Sequence, residues 1–274
     1  MVIDLHVHSY HSDGTDSPKE LLHKAKELGV DVMSLTDHDT VDGLDEAITC
    51  ASEYNLHFIP GIELSSLFKE NEIHILGYKL DYKSPAFQEQ LVVLKQKRRD
   101  RNQKMIEKFH SLGIEVSMLD MEKYLPAQIG RLHFANILIE KGYVKNIAEA
   151  FQKYLSPKGA VYFPRVTMNP HEAVIFLKSF RALSVLAHPH LYGFNKSELW
   201  DFCKSLKDAG LNGIEVYYPE HSPSQTEYYI SIAKDLGLFV TGGSDFHGAN
   251  IPGKTLGHAH NDSLIPDECA KYLM

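Results

Sequence analysis

Residues 1–13 read M-V-I-D-L-H-V-H-S-Y-H-S-D, and the reading of this stretch governs the rest of the chain. Residues 2–7 have the make-up of a short strand, and His6 and His8 stand two apart, so both imidazoles leave the same face near the strand's C-terminal end. Two imidazoles placed in this way can grip one metal ion. Residues 10–13 then leave through a polar loop closed by Gly14, bringing His11 and Asp13 near the same strand end. A single histidine pair is weak evidence. It gains force because later segments keep delivering metal-ligand residue types at strand ends.

Downstream, Ser17 and Pro18 open a helix with an apolar stripe at Leu21, Leu22, Ala25 and Leu28, and Gly29 ends it. Residues 31–36 (D-V-M-S-L-T) form a strand that delivers Asp37, His38 and Asp39, and a helix follows over 42–54. A strand over 57–62 ends in Glu63, and another over 73–80 carries His74, near its start. Strand alternating with helix indicates parallel βα units. The alternation breaks at Ser84-Pro85. From there to 165 the pattern is mainly helical: one long helix through Leu91, Leu94, Met105, Phe109 and Leu112, then shorter ones over 130–140 and 147–154. The βα rhythm resumes with helices over 170–180, 198–209 and 224–236. Strands over 183–187, 213–217 and 238–241 accompany them, the first delivering His188 and the last G-G-S-D-F-H, with Asp245 and His247. The expected fold is therefore α/β: seven strands in βα units over residues 1–83 and 166–274, with a helical insertion over 84–165 expected to cover the mouth of the site.

Composition narrows the function. A length of 274 residues, 43% hydrophobic and 23% charged, is that of a globular chain with a large core. A formal charge of −8 argues against stable coating of long nucleic acid, which needs clustered Lys and Arg. The three cysteines, Cys50, Cys203 and Cys269, form no CxxC pair, so thiolate zinc and disulfide frameworks are not indicated and a reducing cytoplasmic setting fits. No basic start with an apolar core and cleavage site is found, and no apolar run reaches membrane-spanning length. Histidine is the outlier, with sixteen in the chain.

In a parallel barrel the loops after the strands converge on one mouth. His6, His8, Asp13, His38, Glu63, His188, Asp245 and His247 all fall there, with His74 as the exception by position. Mixed His, Asp and Glu ligands without Cys suit Zn, Mn or Fe. Nine ligands exceed one ion and suit two or three, with a carboxylate bridging. Any one of these residues taken alone is more often a cap or a surface group: Asp37 or Asp39 could cap the next helix, and Asp4 reads as structural. His11, His23, His57, His110, His171 and His258 lack a partner in the pattern and are set aside.

The motifs D-L-H-V-H-S, L-T-D-H-D, G-I-E-L, H-I-L-G-Y, L-A-H-P and G-S-D-F-H together resemble those of the PHP (polymerase and histidinol phosphatase) family over nearly the whole chain. The resemblance implies a distorted seven-stranded barrel with a trinuclear metal centre. It implies one ion on His6, His8, Glu63 and Asp245, a second on Glu63, His74 and His188, and a third on Asp13, His38 and His247. The family often has His where Asp13 stands; the carboxylate makes that site harder and favours Mn or Fe over Zn. The insertion, with I-G-R-L-H-F-A and G-I-E-V-Y-Y-P-E-H-S, resembles the subgroup acting on nucleoside 3′,5′-bisphosphates and on 5′ ends of short RNA. There Arg131 and His133 match positions facing the substrate phosphate.

The expected activity is metal-dependent hydrolysis of a phosphate ester, most readily of a nucleoside 3′,5′-bisphosphate, by a metal-activated hydroxide. No nucleophile elbow, Walker sequence or cysteine signature suggests a covalent route. His190 and His221 are candidates to protonate the leaving oxygen or hold phosphate, and Arg131 is a catalytic candidate as the cation facing the substrate phosphate. At 100° per residue Arg98 falls within the apolar arc of the long helix, with Arg101 at its margin, and a buried arginine needs an anionic partner. That partner is either a second substrate phosphate or, as the stronger expectation, a barrel carboxylate. The alternatives are a 5′-3′ exonuclease on short RNA, a histidinol-phosphatase-like monoesterase, and a noncatalytic metal-binding module.

Overall fold

The computed structural model describes residues 1–69, 71–125, 127–164 and 167–274, so the expected boundary at 165/166 lies outside the described residues. Among them, seven strands form one sheet in chain order: β1 (Val2–Asp4), β2 (Val30–Leu35), β3 (His57–Phe68), β4 (Asn71–Tyr78), β5 (Leu183–Leu186), β6 (Gly213–Tyr217) and β7 (Phe239–Gly242). Around them lie α1 (Pro18–Glu27), α2 (Leu44–Tyr54), α3 (Pro85–Ser111), α4 (Met118–Met121), α5 (Arg131–Glu140), α6 (Ile147–Ala150), α7 (Pro170–Ser179), α8 (Lys196–Ala209) and α9 (Pro223–Leu236). The edges meet. Leu5 N donates to Gly242 O at 3.3 Å, Asp245 N to His6 O at 2.8 Å and His8 N to Phe246 O at 3.0 Å, so the chain just after β1 closes the barrel against the chain just after β7.

The helices start where local chemistry directs. Ser17 and Glu20 make a reciprocal capping box at α1 with Pro18 in its first turn, and Leu21, Leu22 and Ala25 are buried. The same device, with Asn, opens α7 and α8. One apolar layer lies between the sheet and these helices, and includes Leu22, Leu35, Leu177 and Leu206. Another includes Ile3, Leu5, Val32, Leu76 and Val185, and Cys269 and Leu273 of the C-terminal segment join it. Lys79, just past β4, donates to Met274 O.

Three expectations are corrected. The alternating pattern suggested parallel pairing throughout, but β3 pairs antiparallel with β4, and β4 antiparallel with β5. The apolar run continues past Glu63 to Phe68, so Glu63 sits within a long strand that folds back as a hairpin. Because β4 runs the other way, its N-terminal end lies beside the C-terminal ends of its antiparallel neighbours β3 and β5, which puts His74 at the mouth. Asp37 and Asp39 do not cap α2, whose N-cap position is Gly43 without a side-chain bond.

The helical region has a core of its own: Met105, Phe109, Val116, Phe134, Leu138, Leu155 and Val161 are buried together. Helix α3 spans both cores, since Phe87, Leu91 and Leu94 belong to the barrel layer. After α6 the chain widens into a π-type turn, Phe151–Leu155, of the kind that often marks a functional site.

Candidate metal centre

The loop after β1 is drawn inward by Asp37, which accepts from Ser9 N at 2.8 Å, Ser9 Oγ at 2.6 Å and Ser12 Oγ at 2.6 Å. Gly14 is required there: a Cβ would lie 2.3 Å from the His8 carbonyl oxygen. Gly243 has the same role before Asp245, since its Cβ would lie 2.2 Å from that of His6. His188 and Asp245 hold positive φ, 23° and 51°, a costly conformation for side chains with a Cβ that tends to persist at functional sites. Neighbouring bonds hold them: His188 N donates to Glu215 Oε2 at 2.7 Å.

These supports bring all nine expected ligand residues together. Glu63 is the joint. Its Oε1 lies 2.9 Å from His74 Nδ1 and 3.0 Å from His188 Nε2. Its Oε2 lies 3.4, 3.3 and 2.9 Å from His6 Nε2, His8 Nε2 and His38 Nδ1. Asp245 Oδ1 faces His6 and His8 at 3.4 and 3.2 Å. Asp13 lies 3.2 Å from His247 Nε2 and 3.7 Å from His38 Nε2. Three sets of donor atoms fall within 4.8 Å of one another: His8, Asp13, His38 and His247; His6, His8 and Glu63; and His38, Glu63 and His74. The partition that the resemblance implied shifts in two respects: His8 and His38 each stand in two sets, and His188 and Asp245, though beside Glu63 and beside His6 and His8, stand in none of the three.

The donors fit a metal. Asp13 Oδ1, His38 Nδ1 and Glu63 Oε2 are buried without a hydrogen bond among the described residues, although each has a nitrogen or oxygen nearby. Buried polar atoms left without a hydrogen bond, set within 4.8 Å of other donor atoms, are what ligands of an ion show. His6 Nε2 and His8 Nε2 are 3.1 Å apart, close to the spacing of about 3.4 Å expected for two nitrogens bound tetrahedrally at about 2.1 Å.

The charges are strongly coupled. Burial opposes a proton on His8, but Asp245 and Glu63 beside it push its pKa up to about 10. Burial likewise opposes charge on His74, and Glu63 and Glu72 lift it to about 9. Burial would raise Glu63, yet His74, His38 and His6 hold it well below the carboxylate range. Behind the ligands, His6 Nδ1 bonds Glu215 Oε1 at 2.9 Å. Asp245 Oδ2 accepts from Tyr218 OH at 2.7 Å and Lys254 Nζ at 3.0 Å.

A cavity of about 480 Å³ opens over this cluster, lined by Asp13, His38, Glu63, His74, His188, Asp245 and His247 on one side, and by Arg98, Arg131, Leu132, Ile147 and Phe151 on the other. Arg131, at the start of α5, reaches it between the rings of Phe151 and Tyr162, 5.7 and 5.9 Å away. His133 is not among the lining residues; its Nδ1 accepts from Gly130 N at 3.0 Å, and burial pushes its pKa down to about 4. Arg98 lines the cavity and pairs with Asp39. Arg101 is buried against Asn102 and does not line it. Nor do His190 and His221, whose rings stand 4.8 Å apart beside Tyr218, with burial pushing their pKa values to about 4 and about 3.

Sequence reasoning missed Glu72, Glu215, Tyr218 and Lys254. Only Glu215 carries a readable signal, a carboxylate in the middle of the buried strand G-I-E-V-Y.

A family model described as the PHP domain matches residues 4–162. The chain is 31% identical to the 3′,5′-nucleoside bisphosphate phosphatase of Chromobacterium violaceum, over 97% of this chain and 93% of that protein. It is 30% identical to a 5′-3′ exoribonuclease of Haemophilus influenzae, over 89% of each. Among solved structures, an amidohydrolase from Chromobacterium violaceum with bound sulfate and no metal superposes with a TM-score of 0.89 at 30% identity, over 98% and 93% of the two chains.

Proposed function

Because the chain belongs to the PHP family, we propose that it is a metal-dependent phosphoesterase removing phosphate from nucleoside 3′,5′-bisphosphates. The observation that carries the reading is Glu63: its two oxygens serve two sets of histidines, and Arg131 stands on the opposite wall of the same cavity. Held by His6, His8, Glu63 and Asp245, by Glu63, His74 and His188, and by Asp13, His38 and His247, two or three divalent ions would ionise a water at neutral pH and neutralise phosphoryl charge. Mn or Fe suits the carboxylate at position 13, and Zn the histidine-rich sets.

The chain's own residues supply the rest. Arg131 presents a planar fork of N–H donors, suited to a phosphate. The helical segment 84–165 brings Arg98, Arg131, Leu132, Ile147 and Phe151 over the mouth, excluding water and giving the nucleoside an apolar surface. His190 and His221, whose rings pack against Tyr218 and do not line the cavity, are assigned to supporting Tyr218 rather than to touching substrate. Among the described residues no helix is long and apolar enough to cross a membrane, and three free, buried cysteines support a reducing, cytoplasmic setting.

One observation favours a second reading, stepwise release of nucleotides from the 5′ end of short RNA. A second cavity of about 330 Å³, lined by Gln96, Asn102, Gln128 and Ile129, shares Arg98 with the first and offers room beyond it. The deciding assay compares manganese-loaded protein on adenosine 3′,5′-bisphosphate, a 5′-phosphorylated short RNA and histidinol phosphate, with His38→Ala as control. Phosphate release from the bisphosphate, lost in the control, is expected. Nucleotide release from RNA without bisphosphate hydrolysis would replace the first reading by the second, and inertness on all three would remove both.

A further inference from the structure

In β4, Glu72 and His74 are two apart, so their side chains leave the same face of the strand, toward the mouth. Oε1 of Glu72 lies 3.5 Å from His74 Nε2, while the other ring nitrogen, Nδ1, lies 2.9 Å from Glu63. Oε2 of the same carboxylate accepts from Arg131 Nη2 at 2.5 Å. All three side chains line one cavity, and that of Glu72 is 12% exposed, so bulk water screens neither contact fully.

Each contact has a chemical meaning. An imidazole whose Nε2–H is directed at a carboxylate carries its lone pair on Nδ1, in a fixed ring orientation and with raised basicity. A guanidinium is rigid and planar, so an acceptor on Nη2 fixes the direction of all its other N–H bonds. One carboxylate therefore sets both a metal-facing nitrogen and the aim of the cation across the cavity.

We propose that Glu72 is a positioning residue coupling retention of an ion at Glu63, His74 and His188 to the aim of Arg131 at the substrate phosphate; the inference rests on the phosphatase reading for the identity of that substrate. Removing Glu72 weakens both functions at once. Its effect on substrate passes through Arg131, and its effect on metal does not.

The test uses the full chain loaded with manganese, as wild type, Glu72→Ala, Glu72→Gln, Arg131→Ala and the Glu72→Ala/Arg131→Ala double variant. Glu72→Gln keeps the side-chain volume, so a loss it shares with Glu72→Ala does not come from a cavity. Manganese retention is measured by elemental analysis across a titration, alongside KM and kcat on adenosine 3′,5′-bisphosphate. Glu72→Ala is expected to raise the manganese concentration for half-occupancy of one site about 10-fold or more, and to raise KM about 10-fold. In the Arg131→Ala background the manganese effect persists, while the effect on KM disappears. Equal KM effects in both backgrounds, or a lowered Tm with manganese retention and KM unchanged, overturn the proposal. If the wild type leaves the bisphosphate intact, the phosphatase reading fails, and coupling is read with inorganic phosphate as the probe. Phosphate then tightens manganese retention in the wild type and not in Glu72→Ala; equal tightening in both overturns the coupling.

Discussion

Lys254 Nζ lies 3.0 Å from Oδ2 of Asp245, the carboxylate oxygen opposite the one that faces His6 and His8. Tyr218 donates to the same oxygen, so Oδ1 alone is turned to the cluster. Lys254→Met should therefore lower manganese retention about 10-fold, because the carboxylate loses its orientation. Breaking a buried pair also destabilises the metal-free protein, by about 3 kcal/mol. Elemental analysis and denaturant titration check the two effects. Lost stability with unchanged metal retention would leave Lys254 a structural role only.

Metal-free protein should lose stability at alkaline pH. His8 and His74 titrate near about 10 and about 9 when folded, against about 6.5 unfolded. A raised folded value means stability fully present below about pH 6.5 and lost as pH climbs through about 9 to 10. Ions reverse the trend, since ligand histidines must be neutral to bind them. The gap in Tm between manganese-loaded and chelator-treated samples should widen from about pH 7 to about pH 10; a constant gap would refute the account.

Arg98 pairs with Asp39, and Asp39 also accepts from Ser65 N at 2.8 Å on β3. Arg98→Met should thus act mainly on the fold, costing about 3 kcal/mol in a denaturant titration. KM for the bisphosphate should change less than about threefold, a shift below the 1.4 kcal/mol that a tenfold change represents. A KM increase without loss of stability would make Arg98 a substrate contact.

Phe109 is fully buried in the core of the helical region, against Phe134 and Tyr154 at 5.9 Å each. Phe109→Ala should cost about 3–5 kcal/mol. If residues 105–163 unfold apart from the barrel, calorimetry will show an early transition that manganese does not move. One shifted, manganese-sensitive transition would mean that the two cores melt together.

Much of this was legible because the sequence places its ligands in short, repeated contexts. H-x-H, D-H-D and S-D-x-H each put several donors at one strand end, where local periodicity suffices to locate them. The sense of strand pairing is different. Nothing in residues 64–72 (L-S-S-L-F-K-E-N-E) carries the Asn-Gly or Asp-Gly signature of a tight hairpin, and an apolar run looks the same in parallel and antiparallel pairs. For that reason His74 reads in the sequence as an exception by position, although the reversed β4 carries it to the mouth. The roles of Glu215, Tyr218 and Lys254 are not legible for another reason, even though Glu215 stands out as a carboxylate in a buried strand. Each is a lone polar residue defined by a partner brought near only by the fold; Glu215 lies 209 residues from His6. Arg98 fell between the cases, since its place on the apolar face of α3 announced a buried anion without naming Asp39.

The hydrogen bonds that close the barrel run between residues 5–8 and 242–246, and His6, His8 and Asp245 stand on that seam. An ion held by those three side chains would therefore also be a clasp across the two edges of the sheet, joining positions that nearly the whole chain separates. Unlike a disulfide, such a link would hold only the folded chain and would let go on unfolding, so its stabilisation would rise with the supply of free ion and be removable by a chelator or by acid. Metal supply would then govern how firmly the cylinder stays shut, as well as whether its chemistry runs.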